Sequence, residues 1–166
     1  MDIQREMLDE FRRELSTTRR ILERVPEDKL AWQPHPKSMA LGQLAMHLAT
    51  LPGSTVKITR EDSFDLATRI REVHIPKGTA EVFAVLEQSA RDVHAALTET
   101  SEARAEALWR LMRGEQEIIS RSRHKIWRAF LFNHWYHHRG QLTVYLRLLD
   151  IPVPSVYGSS ADERSF

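Results

Sequence analysis

The sequence contains no cysteine. That excludes disulfides, thiolate nucleophiles, iron–sulfur clusters and Cys-ligated zinc, so any protein-bound metal must be held by His, Asp or Glu. The chain also lacks an excess of one charge. Its 24 Lys and Arg face 23 Asp and Glu, a net charge of +1, and the signs are mixed along the chain, as in Arg12-Arg13-Glu14 and from Glu99 to Arg104. With no basic block a nucleic-acid partner is not expected, and there is no acidic tail to act as a solvating arm. No apolar run approaches the roughly 20 residues of a membrane span. Residues 1–20 are too charged for a signal peptide. The expectation is a cytoplasmic protein with neither membrane nor nucleic acid as partner. Internal repeats and low-complexity segments are absent too.

What is present is an ordinary globular composition, 42% apolar and 28% charged over 166 residues. That is enough chain for one domain, 1–166, with a substantial core. Apolar periodicity predicts helix 1 over about residues 3–24, with Asp2 as cap and Met7, Leu8, Phe11, Leu15, Thr18 and Leu22 as its stripe. Val25-Pro26 ends it, and residues 27–37 read as a connection with a turn near Lys29 to Trp32. Helix 2 is predicted over about 39–59, capped by Ser38, burying Leu41, Leu44, Ala45, Leu48 and Leu51 and kinked or broken at Pro52-Gly53. Residues 60–78 read as a long loop. Helix 3 follows over about 80–98, capped by Thr79, with Val82, Phe83, Leu86, Ala90, Val93 and Leu97 inward, then a short helix over 101–107. Residues 108–122, containing Gly114 and Ile118-Ile119, read as an extended crossover or a small hairpin. Helix 4 spans about 123–149, and residues 152–158 should lie extended over the surface. The fold class is therefore all-α: a four-helix bundle with long crossover connections.

Eight histidines are the unusual feature, and three fall within five residues of helix 4, in Asn133-His134-Trp135-Tyr136-His137-His138-Arg139-Gly140-Gln141. His134 and His138, four apart, stack on one helix face with Cβ atoms about 5–6 Å apart. Paired histidines at this spacing bind a single transition-metal ion in H-E-x-x-H, but the Glu of that motif is missing here. Counted at about 100° per residue, Gln141, Tyr145, Trp127 and Leu131 share the sector of the two histidines, which places the pair on the core-facing stripe. Buried imidazoles need partners for both nitrogens, and a metal supplies one. The best third ligand is His47, on the predicted inward face of helix 2. A lone histidine there would be read first as core filling; the neighbouring pair is what promotes it. His35, His74, His94 and His124 read as surface or loop residues.

Three neutral imidazoles leave a fourth position for water or substrate, the layout of a catalytic zinc site. An ion in such a shell keeps its full charge, and can lower the pKa of bound water or activate an incoming thiolate. All-nitrogen ligation suits nickel, copper, cobalt and iron as well as zinc. Candidates for the remaining chemistry are His137, about 60° from His134 at the edge of the stripe, and Gln141 and Tyr145. His137 could carry protons, support a ligand or pack. Gln141 and Tyr145 could orient a ligand histidine or substrate, or be polar members of a packed interface. Arg139, about 140° from His134, should face away from the metal and pair with a carboxylate of helix 1 or the tail. Gly140, which costs the helix about 1 kcal/mol against Ala, suggests close approach of a neighbouring helix or subunit.

Three stretches resemble the DinB/YfiT-like family of metal-dependent enzymes. Residues Ser38 to Ala49 look like its helix-2 histidine segment. Residues Asn133 to Leu142 are similar to its H-x3-H-R-G-Q signature, the specific one of the three. Leu148 to Gly158 continues the match, and with the helix pattern the likeness spans essentially the whole chain. The resemblance implies a DinB-like four-helix bundle with a divalent metal on His47, His134 and His138, zinc first and nickel second, and a homodimer. It implies a small-molecule substrate: relatives include S-transferases that use low-molecular-weight thiols, a mycothiol-dependent isomerase and hydrolases. Residues Leu108 to Ile119 match least and are expected to border the site. Three functions remain open: an enzyme activating a thiol or water against a small electrophile, a non-catalytic dimeric bundle of stress-response type stabilised by metal, and a protein whose histidines are core or interface residues with no metal.

Overall fold

A computed structural model describes residues 3–68 and 74–165. Helix α1 (Ile3–Leu22) buries Met7, Phe11, Glu14, Thr18, Ile21 and Leu22. A single 3-10 turn over Glu27–Lys29 follows Pro26. Helix α2 (Leu41–Ser54) buries all five residues of the predicted stripe. Its start is held by the Gln43 side chain, whose Oε1 accepts the Ala40 N–H at 2.8 Å. Ala40 is the cap, where the sequence suggests Ser38, because Gln43 reaches back to satisfy an end N–H that no helix carbonyl can.

Pro52 lies inside α2, which ends at Ser54; the single turn α3 (Lys57–Arg60) follows. A proline removes the N–H that would bond the carbonyl four residues earlier, here that of Leu48. That carbonyl instead accepts the indole N–H of Trp135 at 2.9 Å. Gly53 has a second role. A Cβ there would lie 2.8 Å from Ser89 Oγ and 3.3 Å from Ser89 Cα, so only glycine lets α4 (Thr79–Glu99) approach this closely. The cap of α4 is Gly78; Thr79, expected as the cap, is its first residue. The Asp2 cap expected for α1 lies outside the described residues.

A short helix α5 (Glu102–Glu106), capped by Ser101 Oγ accepting from the Arg104 N–H, leads into a hairpin. Strand β2 (Leu108–Arg113) pairs antiparallel with β3 (Gln116–Ser122), with a register shift at Leu111/Met112. The turn carries Gly114 at φ 59, the left-handed region that glycine enters without steric cost. Of the two alternatives for residues 108–122, the hairpin is the one formed. A third strand, β1 (Ser63–Asp65), joins β2 in parallel, pairing Ser63 with Arg110 and Asp65 with Met112. The chain is therefore mostly helical but not all-α, and the expected loop over residues 60–78 contains a strand. Three residues carry too little alternation to read; they are extended because β2 offers them an edge.

The final rod begins as α6 (Arg123–Trp127), passes through a π-helical segment at Arg128–Asn133 and continues as α7 (His134–Leu148). α2 packs against α4 and α7, and α1 against the same two helices. One continuous apolar core fills the space between, from Phe11 and Leu22 through Leu44, Leu48 and Leu86 to Trp127, Trp135 and Leu146. Two buried arginines brace it. Arg123 donates to the carbonyls of Ile58, Glu61, Ala107 and Leu108 and to Asp62, fastening the end of α3 to the hairpin. Arg139 faces α1, where Nη2 meets Glu14 Oε2 at 2.6 Å and Nη1 reaches Thr18 Oγ1 at 3.2 Å. Tyr157 from the tail completes that network, donating to Glu14 Oε2 at 2.8 Å; although its ring is largely exposed, partial desolvation of the hydroxyl and the bond to Glu14 push its pKa up to about 12. The sequence suggests a tail lying over the surface, but Val153, Pro154 and Ser155 are buried. Asp162 holds the tail there by accepting the Val153 N–H at 2.9 Å. Among the described residues no helix is long and apolar enough to cross a membrane.

Candidate metal centre

The π segment ends where α7 begins, and the first residue of α7 is His134. Such bulges re-aim the side chains that follow and recur at functional sites. One turn later comes His138, buried, and across from them α2 presents His47, partly buried. The three rings meet: centroids are 4.4 Å apart for His47 and His138, 4.6 Å for His134 and His138, and 5.4 Å for His47 and His134. Each offers one ring nitrogen, and the three nitrogens lie within 4.8 Å of one another. Two nitrogens at about 2.0–2.1 Å from one ion are themselves separated by about 3–4 Å, so the cluster could hold a metal ion with small adjustments.

The hydrogen bonds favour that use. His138 Nδ1 lies 2.7 Å from Gln141 Oε1, an acceptor, so the Nδ1 proton points at the amide oxygen. Nε2 is then the lone-pair nitrogen, and it faces His134 Nε2 at 2.8 Å. This arrangement fixes tautomer and ring orientation for a metal ligand. Burial also lowers the pKa of His138 below its ordinary 6.5, against the opposing bond from Gln141, which favours the neutral form that binds metals. The other two candidates stand differently. His137 is exposed, with its ring edge-on to His138 at 5.0 Å. The Tyr145 hydroxyl donates to the Met39 carbonyl at 3.2 Å, and its ring meets Trp32 edge-on, so it joins α7 to the approach of α2.

A cavity of about 520 Å³ opens beside the cluster, and His47 and His134 form part of its wall. The rest is mostly apolar: Leu51 and Ile58 from α2 and α3, Phe64 and Leu66 from β1 and the turn after it, Trp109 and Leu111 from β2, and Phe130 from the π segment. The hairpin thus borders the site, as expected for Leu108 to Ile119. Sequence reasoning does not single out Lys57, Phe64 or Phe130. Phe130 belongs to an apolar helix, where an aromatic reads as core, Phe64 sits in a stretch without period, and Lys57, near the end of the predicted helix 2, reads as a solvated surface charge. Of the remaining histidines, His35, His74 and His94 are exposed and His124 is partly buried. No histidine outside the cluster joins a possible metal group among the described residues.

The fold and the cluster define a mostly helical protein, flanked by a three-stranded sheet, with three histidines from two helices that could hold a metal ion. The sequence profile of the DinB family matches residues 1–164, and the chain belongs to that family. Two solved structures share the fold. A DinB-like protein from Bacillus subtilis superposes with a TM-score of 0.68 at 16% identity, covering 89% of this chain and 96% of its own. A DinB-like protein from Bacillus cereus ATCC 10987 gives 0.68 at 22% identity, covering 90% and 95%. No curated protein matches the chain.

Proposed function

We propose that this protein is a metal-dependent enzyme in which a divalent transition metal, zinc first and nickel second, is held by His47, His134 and His138 and serves the attack of a low-molecular-weight thiol or water on a small electrophile. The supporting observation is the convergence of the three imidazoles at the wall of an apolar cavity of about 520 Å³, within the size range of small-molecule sites. When bound, the metal supplies Lewis acidity that makes a thiol or water more acidic and hence more nucleophilic at neutral pH. The chain's own residues do the rest. Gln141 holds His138 in its ligand tautomer, the aromatic and aliphatic wall excludes water from the reacting groups, and exposed His137 is positioned to pass protons to solvent. S-transfer and hydrolysis are the two reaction types this supports.

The test is metal analysis of the purified protein, followed by thiol-transfer and hydrolysis screens against small electrophiles, with His138→Ala as control. Metal-loaded protein that is inert in both screens counts against catalysis.

A homodimer is proposed through the outer face of α7. Val144 and Leu148 are 57% and 58% exposed there, one turn apart. Gly140 lies on the same face, and a Cβ at that position would meet nothing within 4 Å, so no described helix of its own chain accounts for the glycine.

A second reading, a non-catalytic dimeric bundle stabilised by metal, is favoured by one feature: none of the described residues lining the cavity is a carboxylate that could serve as general base. It predicts a large fall in melting temperature on chelation without turnover of any substrate.

A further inference from the structure

The cavity beside the histidines is chemically lopsided. Its wall is aromatic and aliphatic, with the Trp109 and Phe130 rings 6.5 Å apart at 57°. Lys57, the first residue of α3, is the only formally charged side chain among the described residues that line it. Its Nζ sits 5.5 Å from the centroid of Phe64, another wall residue. No carboxylate forms an ion pair with it among the described residues. Asp62 is taken up by Arg104 and Arg123 and Asp65 by the backbone N–H groups of Ala67 and Gly114, while Glu61, four residues after Lys57, does not line the cavity.

From this we infer that the substrate is a small organic anion with an apolar, ring-sized body, its carboxylate or equivalent oxyanion on Lys57 and its body against Trp109, Phe130 and Phe64. The inference rests on the reading of the cavity as the enzyme's substrate site. The physical reason is that a ligand filling this space strips water from the ammonium, which is costly unless the ligand supplies an acceptor of opposite charge. A cationic ligand would meet Lys57 with no carboxylate on the wall to offset it. A wholly polar ligand would leave the aromatic wall wet. Lys57 is then a specificity-determining residue, and the ion pair orients the ligand so that its far end lies toward His47 and His134.

The test is calorimetric titration of the full-length protein with naphthylacetate, naphthylacetamide and naphthylethylamine, before and after chelation. The acid should bind about tenfold or more tighter than the amide, with the amine weakest, and added salt should erode the preference. Lys57→Met should make acid and amide equal, while Lys57→Arg keeps the preference; both should melt like the parent, since the side chain is exposed. Equal binding of acid and amide by the parent, or no binding of any of the three, overturns the inference. So does a preference that survives Lys57→Met but vanishes on chelation: the anion then sits on the metal, and the proposed function stands without the Lys57 site. Conversely, a Lys57-dependent preference in protein that never takes up metal overturns the proposed function and leaves the anion site intact.

Discussion

Trp135 carries a prediction that joins the local chemistry of α2 to the geometry of the histidines. Pro52 leaves the Leu48 carbonyl without its helical donor, and the Trp135 indole supplies one at 2.9 Å from a fully buried position. Trp135 follows His134 directly, and Leu48 follows His47, so this bond ties the two helices that carry the histidine cluster together one residue from it. Trp135→Phe keeps an aromatic ring beside Phe11, stacked on it at 5.6 Å in the parent, but leaves the carbonyl buried and unpaired. That desolvation loss is about 1–3 kcal/mol, with a further contribution from lost volume. Pro52→Ala returns an N–H to the helix, within reach of the same carbonyl. In the Pro52→Ala background, therefore, Trp135→Phe should cost only the contribution from lost volume. A double-mutant cycle by urea unfolding should give a coupling of about 1–3 kcal/mol, seen also as a difference of about 2–12 °C between the two backgrounds. Metal affinity should fall in Trp135→Phe and partly recover in the double variant. An equal cost in both backgrounds would refute the claim that the indole replaces the donor that proline lacks.

Four further outcomes are expected. Gln141→Ala should weaken metal binding about 10–100-fold by releasing His138 Nδ1, measured by competition with a chromogenic chelator, and Gln141→Glu should restore most of it. His47→Ala should abolish stoichiometric metal in the purified protein; full retention would remove His47 from the ligand set. Arg139→Met should destabilise by about 3–5 kcal/mol, because Glu14 is left buried without a counter-charge, and Glu14→Met in addition should recover most of the loss by denaturant melts. The pair of Glu10 with Arg128 sets an acid limb. The Arg128 hydrogen bond, with that from Tyr136, holds the Glu10 carboxyl below its ordinary 4.5. Its depressed folded value means the stabilisation is present above pH 4.5 and is lost as pH falls through the folded value, so Glu10→Gln should flatten the stability profile below pH 4.5 and leave its slope near neutrality unchanged.

The long helices and the three histidines are legible in the sequence for one reason. A helix that packs on one side writes its burial at intervals of three and four, and two ligands on one such face must share that interval. Leu41, Leu44, Leu48 and Leu51 in α2, and His134 and His138 in α7, obey this rule. The orientation of Arg139 follows from the same count, and its partner is a carboxylate of α1. Two features are not legible. Glu14 stands at the spacing of the α1 stripe, three residues after Phe11 and four before Thr18, but a carboxylate there reads as solvent-facing; it is buried because Arg139 neutralises it from another helix. Strand β1 has no pattern of its own because its extended backbone depends on hydrogen bonds with β2, distant along the chain.

The sequence alone, then, determined the helices, the paired histidines and the exclusion of chemistry on the protein's own cysteines, because each depends on residue type or on spacing within one element. Only the tertiary structure decided how near His47 comes to the pair, which way the Gln141 amide turns to hold His138, and that Lys57 and the hairpin aromatics share the histidines' cavity. Most of those relations join segments far apart in the chain, and their distances are set by packing: Gly53 letting α4 close on α2, and the Trp135 bond joining α2 to α7 where proline left a carbonyl unpaired.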